Sequence, residues 1–260
     1  MAIYSKKRQY ESTSVEVPCP ICLNNKAHLL YSINAEHAAA HIFGNSADRE
    51  QRSRLTLLVK QLWQGDQCDF VRCDTCQYCF AVPFTQGDEA FYALAYHSQT
   101  SYQSWKWEYQ ETYDALRVMA PREKLVSVTL LEIGAGNGAF VKRVSPALLR
   151  KENIVCTEYS EGGRRSLADY GIYCLSQDIR TLDLAKFQTR FDIVCMFQVL
   201  EHLDNLDALF ECVNRLTRES ATFFIAVPND KRREVFDRKG IIEDVPPTHV
   251  GRFIGSVWKC

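Results

Sequence analysis

Leu130-Leu131-Glu132-Ile133-Gly134-Ala135-Gly136-Asn137-Gly138-Ala139-Phe140 is the stretch on which the fold turns. Apolar residues lead into an acid, glycine then stands at every second position, and a helix-like run follows. Alternate glycines let a backbone turn sharply and bring its N–H groups close to a ligand, because no Cβ intervenes. A strand that ends in such a turn and opens a helix is the nucleotide-type site of an α/β fold.

Two ligand classes fit this turn. Gly134-x-Gly136-x-x-Ala139 satisfies the dinucleotide fingerprint, in which a helix N-terminus receives a pyrophosphate. The same residues satisfy the E/D-x-G-x-G-x-G loop that holds S-adenosylmethionine, a ligand without phosphate. Glu132 favours the second, since a carboxylate repels a pyrophosphate but attracts an ammonium.

Downstream segments arrive in a matching order. Asn153 to Glu158 reads as a second strand ending in an acid about twenty residues after the glycines, the position of a ribose-binding carboxylate. Ser160-Glu161-Gly162-Gly163 opens a helix with Ser160 as N-cap. Tyr173-Cys174-Leu175 reads as a short third strand and is followed by Gln177-Asp178-Ile179. Phe191 to Phe197 is almost wholly apolar, as a strand covered on both faces should be. It runs into Gln198-Val199-Leu200-Glu201-His202-Leu203, and Ala221 to Pro228 makes a fifth strand. Strands alternating with helical segments predict a doubly wound, mainly parallel α/β sheet.

With these motifs in place, residues from about 125 to 230 resemble a class I S-adenosylmethionine-dependent methyltransferase with a Rossmann-like sheet. The resemblance implies that Gly134, Gly136 and Gly138 wrap the methionyl part of the cofactor, with Glu132 beside them, and that Glu158 takes the ribose hydroxyls. Asp178 would contact the adenine amino group, Ile179 would pack on the ring, and Gln198 would lie towards the methionyl or acceptor side. Asp244-Val245-Pro246-Pro247-Thr248-His249 is similar to the Asp-x-Pro-Pro-His-His loop after the fifth strand of some small-molecule methyltransferases, with Thr248 in place of the first histidine. His249 is therefore the first candidate for a catalytic base, since an imidazole titrates near neutrality. His202, just after the fourth strand, is the second. The family's sheet normally continues beyond the fifth strand, and the short run after Pro228 predicts a C-terminally truncated sheet.

Eleven cysteines form the second anomaly. In a reducing compartment, clustered thiols are candidate metal ligands rather than disulfides. Cys19-Pro20-Ile21-Cys22 and Cys73-Asp74-Thr75-Cys76 are two Cys-x-x-Cys knuckles, enough for a closed tetrahedral Zn2+ site of structural type. Their separation exceeds a ribbon spacer, which an inserted helical segment from Ala35 to Trp63 explains. Cys68 and Cys79 are spare, and Cys156 and Cys195 fall inside strands as small apolar side chains. Cys73, Cys76 and Cys79 also begin a ferredoxin-like run, but Pro83 stands where the fourth ligand is needed. His37 and His41 share a helical face without a nearby acid or cysteine, which leaves them weak metal candidates.

Three domains are expected: a zinc-ribbon-like module over 1–86, an aromatic-rich helical linker or lid over 87–122, and a methyltransferase domain over 123–260. Phe91, Tyr92, Tyr96, Tyr102, Trp105, Trp107, Tyr109 and Tyr113 lie in the middle segment, either packed on the sheet or placed to cover a sulfonium. A net charge of -1 provides no footprint for nucleic acid, and neither a secretory h-region nor a membrane-length apolar run is present. The expectation is a cytoplasmic enzyme that methylates a small-molecule acceptor such as a sugar or secondary metabolite, at carbon or oxygen. Alternatives are a protein or RNA methyltransferase that docks its polymer through the zinc module, and a non-catalytic cofactor-binding scaffold.

Overall fold

The computed structural model describes residues 13–43, 48–95, 104–119, 127–182, 190–229 and 245–253. The chain divides into two compact units. The first joins Met1–Ser98 with Leu200–Leu206 and Val227–Cys260, and the second joins Gln99–Val199 with Asp207–Ala226.

The first unit is built on an antiparallel sheet. Strands β1 (Ser14–Glu16), β2 (Lys26–Asn34), β3 (Gln67–Cys73) and β4 (Cys79–Val82) pair in sequence order, and a two-residue strand, β10 (Gly251–Arg252), adds to the far side of β4. Helices α1 (Ala35–Phe43) and α2 (Arg49–Trp63) intervene between β2 and β3, as the inserted helical segment requires. Asp48 caps α2 by accepting a hydrogen bond from the Gln51 N–H at 2.8 Å. Leu55, Val59 and Trp63, spaced by four, put one apolar face of α2 into a core with Ala38, Ala39, Phe70 and Phe91. Phe91 belongs to α3 (Glu89–Ala95), whose N–H donor at Phe91 is capped by Asp88.

The second unit is a parallel sheet in the order β7-β6-β5-β8-β9, formed by β5 (Leu130–Ile133), β6 (Ile154–Thr157), β7 (Tyr173–Leu175), β8 (Phe191–Phe197) and β9 (Thr217–Ala226). Helices α4 (Trp107–Met119), α5 (Ala139–Ala147), α6 (Glu161–Tyr170) and α7 (Leu206–Leu216) accompany it. All four residues of β5 are buried, and β8 is buried at six of its seven positions. Burial along the strand is what central parallel strands impose, and it explains why β8 is apolar at every position but Asp192. Tyr109 of α4, Phe140 of α5 and Phe197 of β8 meet with ring centroids 4.9–5.6 Å apart. Strand order reverses between β5 and β8, which is where an open α/β sheet presents its ligand crevice.

This division differs from the three segments expected. The 87–122 stretch does not form one linker: α3 packs in the first unit with Phe91 fully buried, whereas α4 packs in the second through Tyr109 and Leu116. The Gly87-Asp88 step, at the boundary expected between the first two segments, is the capped start of a helix. Tyr96 and Tyr102 lie outside the described residues. Residues 245–253, expected to close the methyltransferase domain, instead supply a strand to the antiparallel sheet. Two residues are too few to carry a strand period, so only the folded chain reveals this pairing. Among the described residues, no helix is long and apolar enough to cross a membrane.

Val250 fixes that return. It is fully buried in the first unit's core, and its carbonyl accepts from the Ala81 N–H at 2.9 Å. Val250→Ala is expected to destabilise the protein by about 2 kcal/mol, from two lost methyl groups and the cavity they leave. A urea midpoint unchanged from the parent chain would show that this strand contributes nothing.

Candidate functional site

The glycine turn lies at the C-terminal end of β5. Gly134, Gly136 and Gly138 all take positive φ, 71°, 56° and 77°. At Gly134 a Cβ would also come within 2.6 Å of Val199 Cγ2, and at Gly138 within 2.4 Å of Leu167 Cδ2. Both conformation and packing therefore demand glycine here. Gly138 starts α5 with no side-chain cap.

Glu132 is 1% exposed in the centre of the sheet, and its Oε2 has no hydrogen-bond partner. Burial, then repulsion from Glu158, pushes its carboxyl up to about 8, with Lys106 acting in the opposite direction. An unsatisfied buried carboxylate is costly, and a cationic donor would relieve it. The residues thus fit the ammonium of an S-adenosylmethionine-type ligand and do not suit a pyrophosphate.

Glu158 directly follows β6 and faces the turn. Its Oε2 accepts from the Gly136 N–H at 2.8 Å and its Oε1 from the Ser160 N–H at 2.7 Å. Two backbone donors hold the carboxylate in one orientation while leaving lone pairs for further donors. Ser160 caps α6 through the Gly163 N–H, as its position in the sequence predicts. Asp178 caps the 3-10 turn Ile179–Thr181 and forms an ion pair with Arg180. Although burial raises its carboxyl, the hydrogen bonds and charge of Arg180, with a hydrogen bond from Tyr159, hold it below the usual carboxylate range. Ile179 is 3% exposed. Gln198, at the end of β8, has φ 59° and donates its N–H to the Ala226 carbonyl at 2.7 Å, a conformation that non-glycine residues adopt rarely. Glu132, the glycines, Glu158, Asp178, Ile179 and Gln198 all belong to the second unit, at or beside the C-terminal ends of its strands. Tyr159, Lys106 and Val199 join them without any sequence signal that singled them out.

The two cysteine knuckles converge in the first unit. Cys19 Sγ lies 3.6 Å from Cys76 Sγ and Cys22 Sγ 3.5 Å from Cys73 Sγ, and all four sulfurs lie within 4.8 Å of one another. Thiolates bound to one Zn2+ at ~2.3 Å would be ~3.8 Å apart, so the cluster has the dimensions of such a site. The knuckles are conformational copies. Leu23 and Gln77, each following a second cysteine, take φ 59° and 65°, and each donates its N–H to the carbonyl of the first cysteine. Burial pushes the Cys19 thiol up to about 11. Burial acts on Cys73 as well, but backbone N–H donors at Cys76 and Thr75 and the Cys22 thiol outweigh it and lower that thiol. Cys68 and Cys79, 0% and 1% exposed, stand outside the cluster, as Cys156 and Cys195 do in their strands. His37 is exposed and His41 half-buried, and neither enters a ligand cluster among the described residues.

His202 and His249, the two candidate bases, come together in the first unit with ring centroids 4.4 Å apart. Glu201, which the sequence left unremarked inside the Leu200-Glu201-His202 turn, joins them as a buried carboxylate.

Glu132 generates a pH test. The folded, ligand-free protein keeps this proton to about pH 8, whereas an unfolded chain releases it near 4.5. Its stabilising contribution is therefore complete below pH 4.5 and is lost as pH rises through 8, by up to about 1.4 kcal/mol per pH unit. Glu132→Gln is expected to remove that slope from urea midpoints measured across the window. An identical slope in parent and variant would place the titration elsewhere.

Residues 102–254, more than half of the chain, match the family model described as a methyltransferase domain. No curated protein matches the sequence. Similar solved structures include an S-adenosylmethionine-dependent methyltransferase from Clostridium acetobutylicum ATCC 824, at 17% identity and TM-score 0.36, covering 54% of this chain and 56% of that one. The sugar N-methyltransferase KedS8 from Streptoalloteichus sp ATCC 53650 is 16% identical with TM-score 0.37 and 53% of each chain covered. A SAM-dependent methyltransferase from Archaeoglobus fulgidus is 19% identical with TM-score 0.41, covering 58% of this chain and 65% of that one. The chain thus spans less than two thirds of the length of these structures. From the family match over residues 102–254, this protein belongs to the methyltransferase domain family.

Proposed function

We propose that the chain binds S-adenosylmethionine at the Gly134–Gly138 turn, passes its methyl group to a small-molecule acceptor, and carries a structural Zn2+ on Cys19, Cys22, Cys73 and Cys76. The observation that carries this reading is the buried Glu132 carboxylate, one oxygen of which has no partner, at the foot of the glycine turn. Glu132 takes the ammonium of the methionyl end and exchanges its proton for that charge. Glu158, already held by two N–H donors, offers its remaining lone pairs to the ribose hydroxyls. Asp178 and Ile179 receive the adenine, and Gln198 stands on the methionyl side.

When bound, the cofactor supplies a methyl group activated by a positive sulfur. The chain's own task is then to hold the reacting groups in line and keep water out, which is worth far more than any direct chemistry by a side chain. A small acceptor is supported by the net charge of -1, which gives a polyanion no electrostatic footprint.

Methyl-labelled S-adenosylmethionine added with the protein to a fractionated extract is expected to put label into the small-molecule fraction. Label confined to protein or RNA would overturn the acceptor class. Gly136→Val, which places a branched side chain at φ 56° beside Glu158, is expected to abolish that transfer. Cys73→Ser is expected to release Zn2+ and lower the first unit's stability, measured by elemental analysis and thermal unfolding. Full zinc retention in that variant would remove Cys73 from the ligand set.

A further inference from the structure

We propose that Glu201, His202 and His249 form a second metal site, one that takes a divalent first-row cation through two imidazole nitrogens and one carboxylate. The inference does not depend on the cofactor assigned above, and all three residues lie in the first unit.

The ligand atoms of the three side chains lie within 4.8 Å of one another. His202 Nδ1 sits 2.6 Å from the Thr248 carbonyl oxygen. A carbonyl only accepts, so Nδ1 carries a proton and donates, and in the neutral imidazole Nε2 is the atom with the lone pair. Fixing the tautomer through a backbone carbonyl is the support that metal-bound histidines ordinarily have. Nε2 then lies 3.9 Å from Glu201 Oε1. That is too long for a hydrogen bond. Two donors at ~2.1 Å from a shared tetrahedral ion are ~3.4 Å apart, so a small inward movement would let both ligate.

Burial is graded as such a site needs. The Glu201 side chain is 2% exposed and that of His202 24%, which leaves an entry path on the imidazole side. His249 is half-buried beside it. Thr248 Oγ1, next in sequence, is a buried oxygen with no hydrogen-bond partner, a group that water on the ion could satisfy.

The two segments that carry the ligands are locked together. Val250 donates its N–H to the Glu201 carbonyl at 2.8 Å, and His249 donates its own to the Val245 carbonyl at 3.1 Å. Gln86 and Asp204 exchange hydrogen bonds of 3.1 and 3.2 Å, each backbone N–H donating to the other's side chain, so the turn after His202 is tied to the β4–α3 connection. Three protein ligands leave coordination positions open, unlike the closed set of four thiols. Two neutral imidazoles and a carboxylate suit Zn2+, Co2+, Mn2+ or Fe2+ better than Mg2+ or Ca2+, which prefer oxygen alone.

Co2+ loading of the full chain separates the sites, because thiolate ligation gives a near-ultraviolet charge-transfer band and imidazole–carboxylate ligation does not. The parent protein is expected to hold Co2+ beyond the amount that the thiolate band reports. His249→Ala and the near-isosteric Glu201→Gln should each weaken that additional binding at least tenfold and leave the thiolate band unchanged. Additional Co2+ bound equally by both variants would overturn the proposal. So would a parent chain with no Co2+ beyond its thiolate band, and that arm decides alone should a variant lose the band and misfold.

Discussion

The carboxylate of Glu132, buried in the middle strand of a parallel sheet, is the constraint to which the rest of the second unit is fitted. A charge removed from water there is expensive, and the ligand-free chain meets the expense by holding a proton to about pH 8. Glu158 aggravates the problem by placing a second carboxylate nearby, but its own oxygens are fixed by the Gly136 and Ser160 N–H groups. Glu158, and a Glu132 that gives up its proton beside a cation, make the glycine turn an environment that favours cations over anions. The turn can approach a ligand closely because Gly134, Gly136 and Gly138 adopt a backbone that other residues take only with strain.

The first unit solves a different problem. Its sheet is antiparallel and small, and it gathers three separate stretches of chain around Phe70, Phe91 and Val250. The paired knuckles bring four sulfurs within 4.8 Å, which only a shared cation would relieve of mutual repulsion once they ionise. On the covalent path, the chain enters this unit from the end of β8 at Leu200 and again from the end of β9 at Val227. The Leu200–His202 turn and the 245–250 loop belong to the first unit, although in sequence they follow strands of the second.

Much of this was legible in the residues. The glycine spacing, the acid at Glu158, the Ser160 cap and the nearly all-apolar run of β8 are local signals, each with a local cause, and together they dictate a parallel sheet. The helical insertion between the knuckles was legible for the same reason, since Leu55, Val59 and Trp63 repeat at a helical spacing. What escaped was long-range. The pairing of β10 with β4 joins residues far apart in sequence through only two residues of strand. The division of the aromatic segment between α3 and α4 depends on which core each helix finds. Glu201 gave no sign of partnership because His249 reaches it through the loop fixed by Val250 and Thr248. Arg180, by contrast, was a missed local signal: it stands two residues after Asp178 and occupies much of its carboxylate.

On the proposed function, the glycine turn and Glu132 accept a cationic adenosine ligand rather than an anionic one. Titration calorimetry of the parent chain and Glu132→Gln with S-adenosylmethionine, its demethylated product and NAD tests it most directly. Saturable heat is expected from the first two ligands, with affinity at least tenfold weaker in the variant, and none from NAD. Uptake of NAD with no heat from S-adenosylmethionine or its product would contradict it.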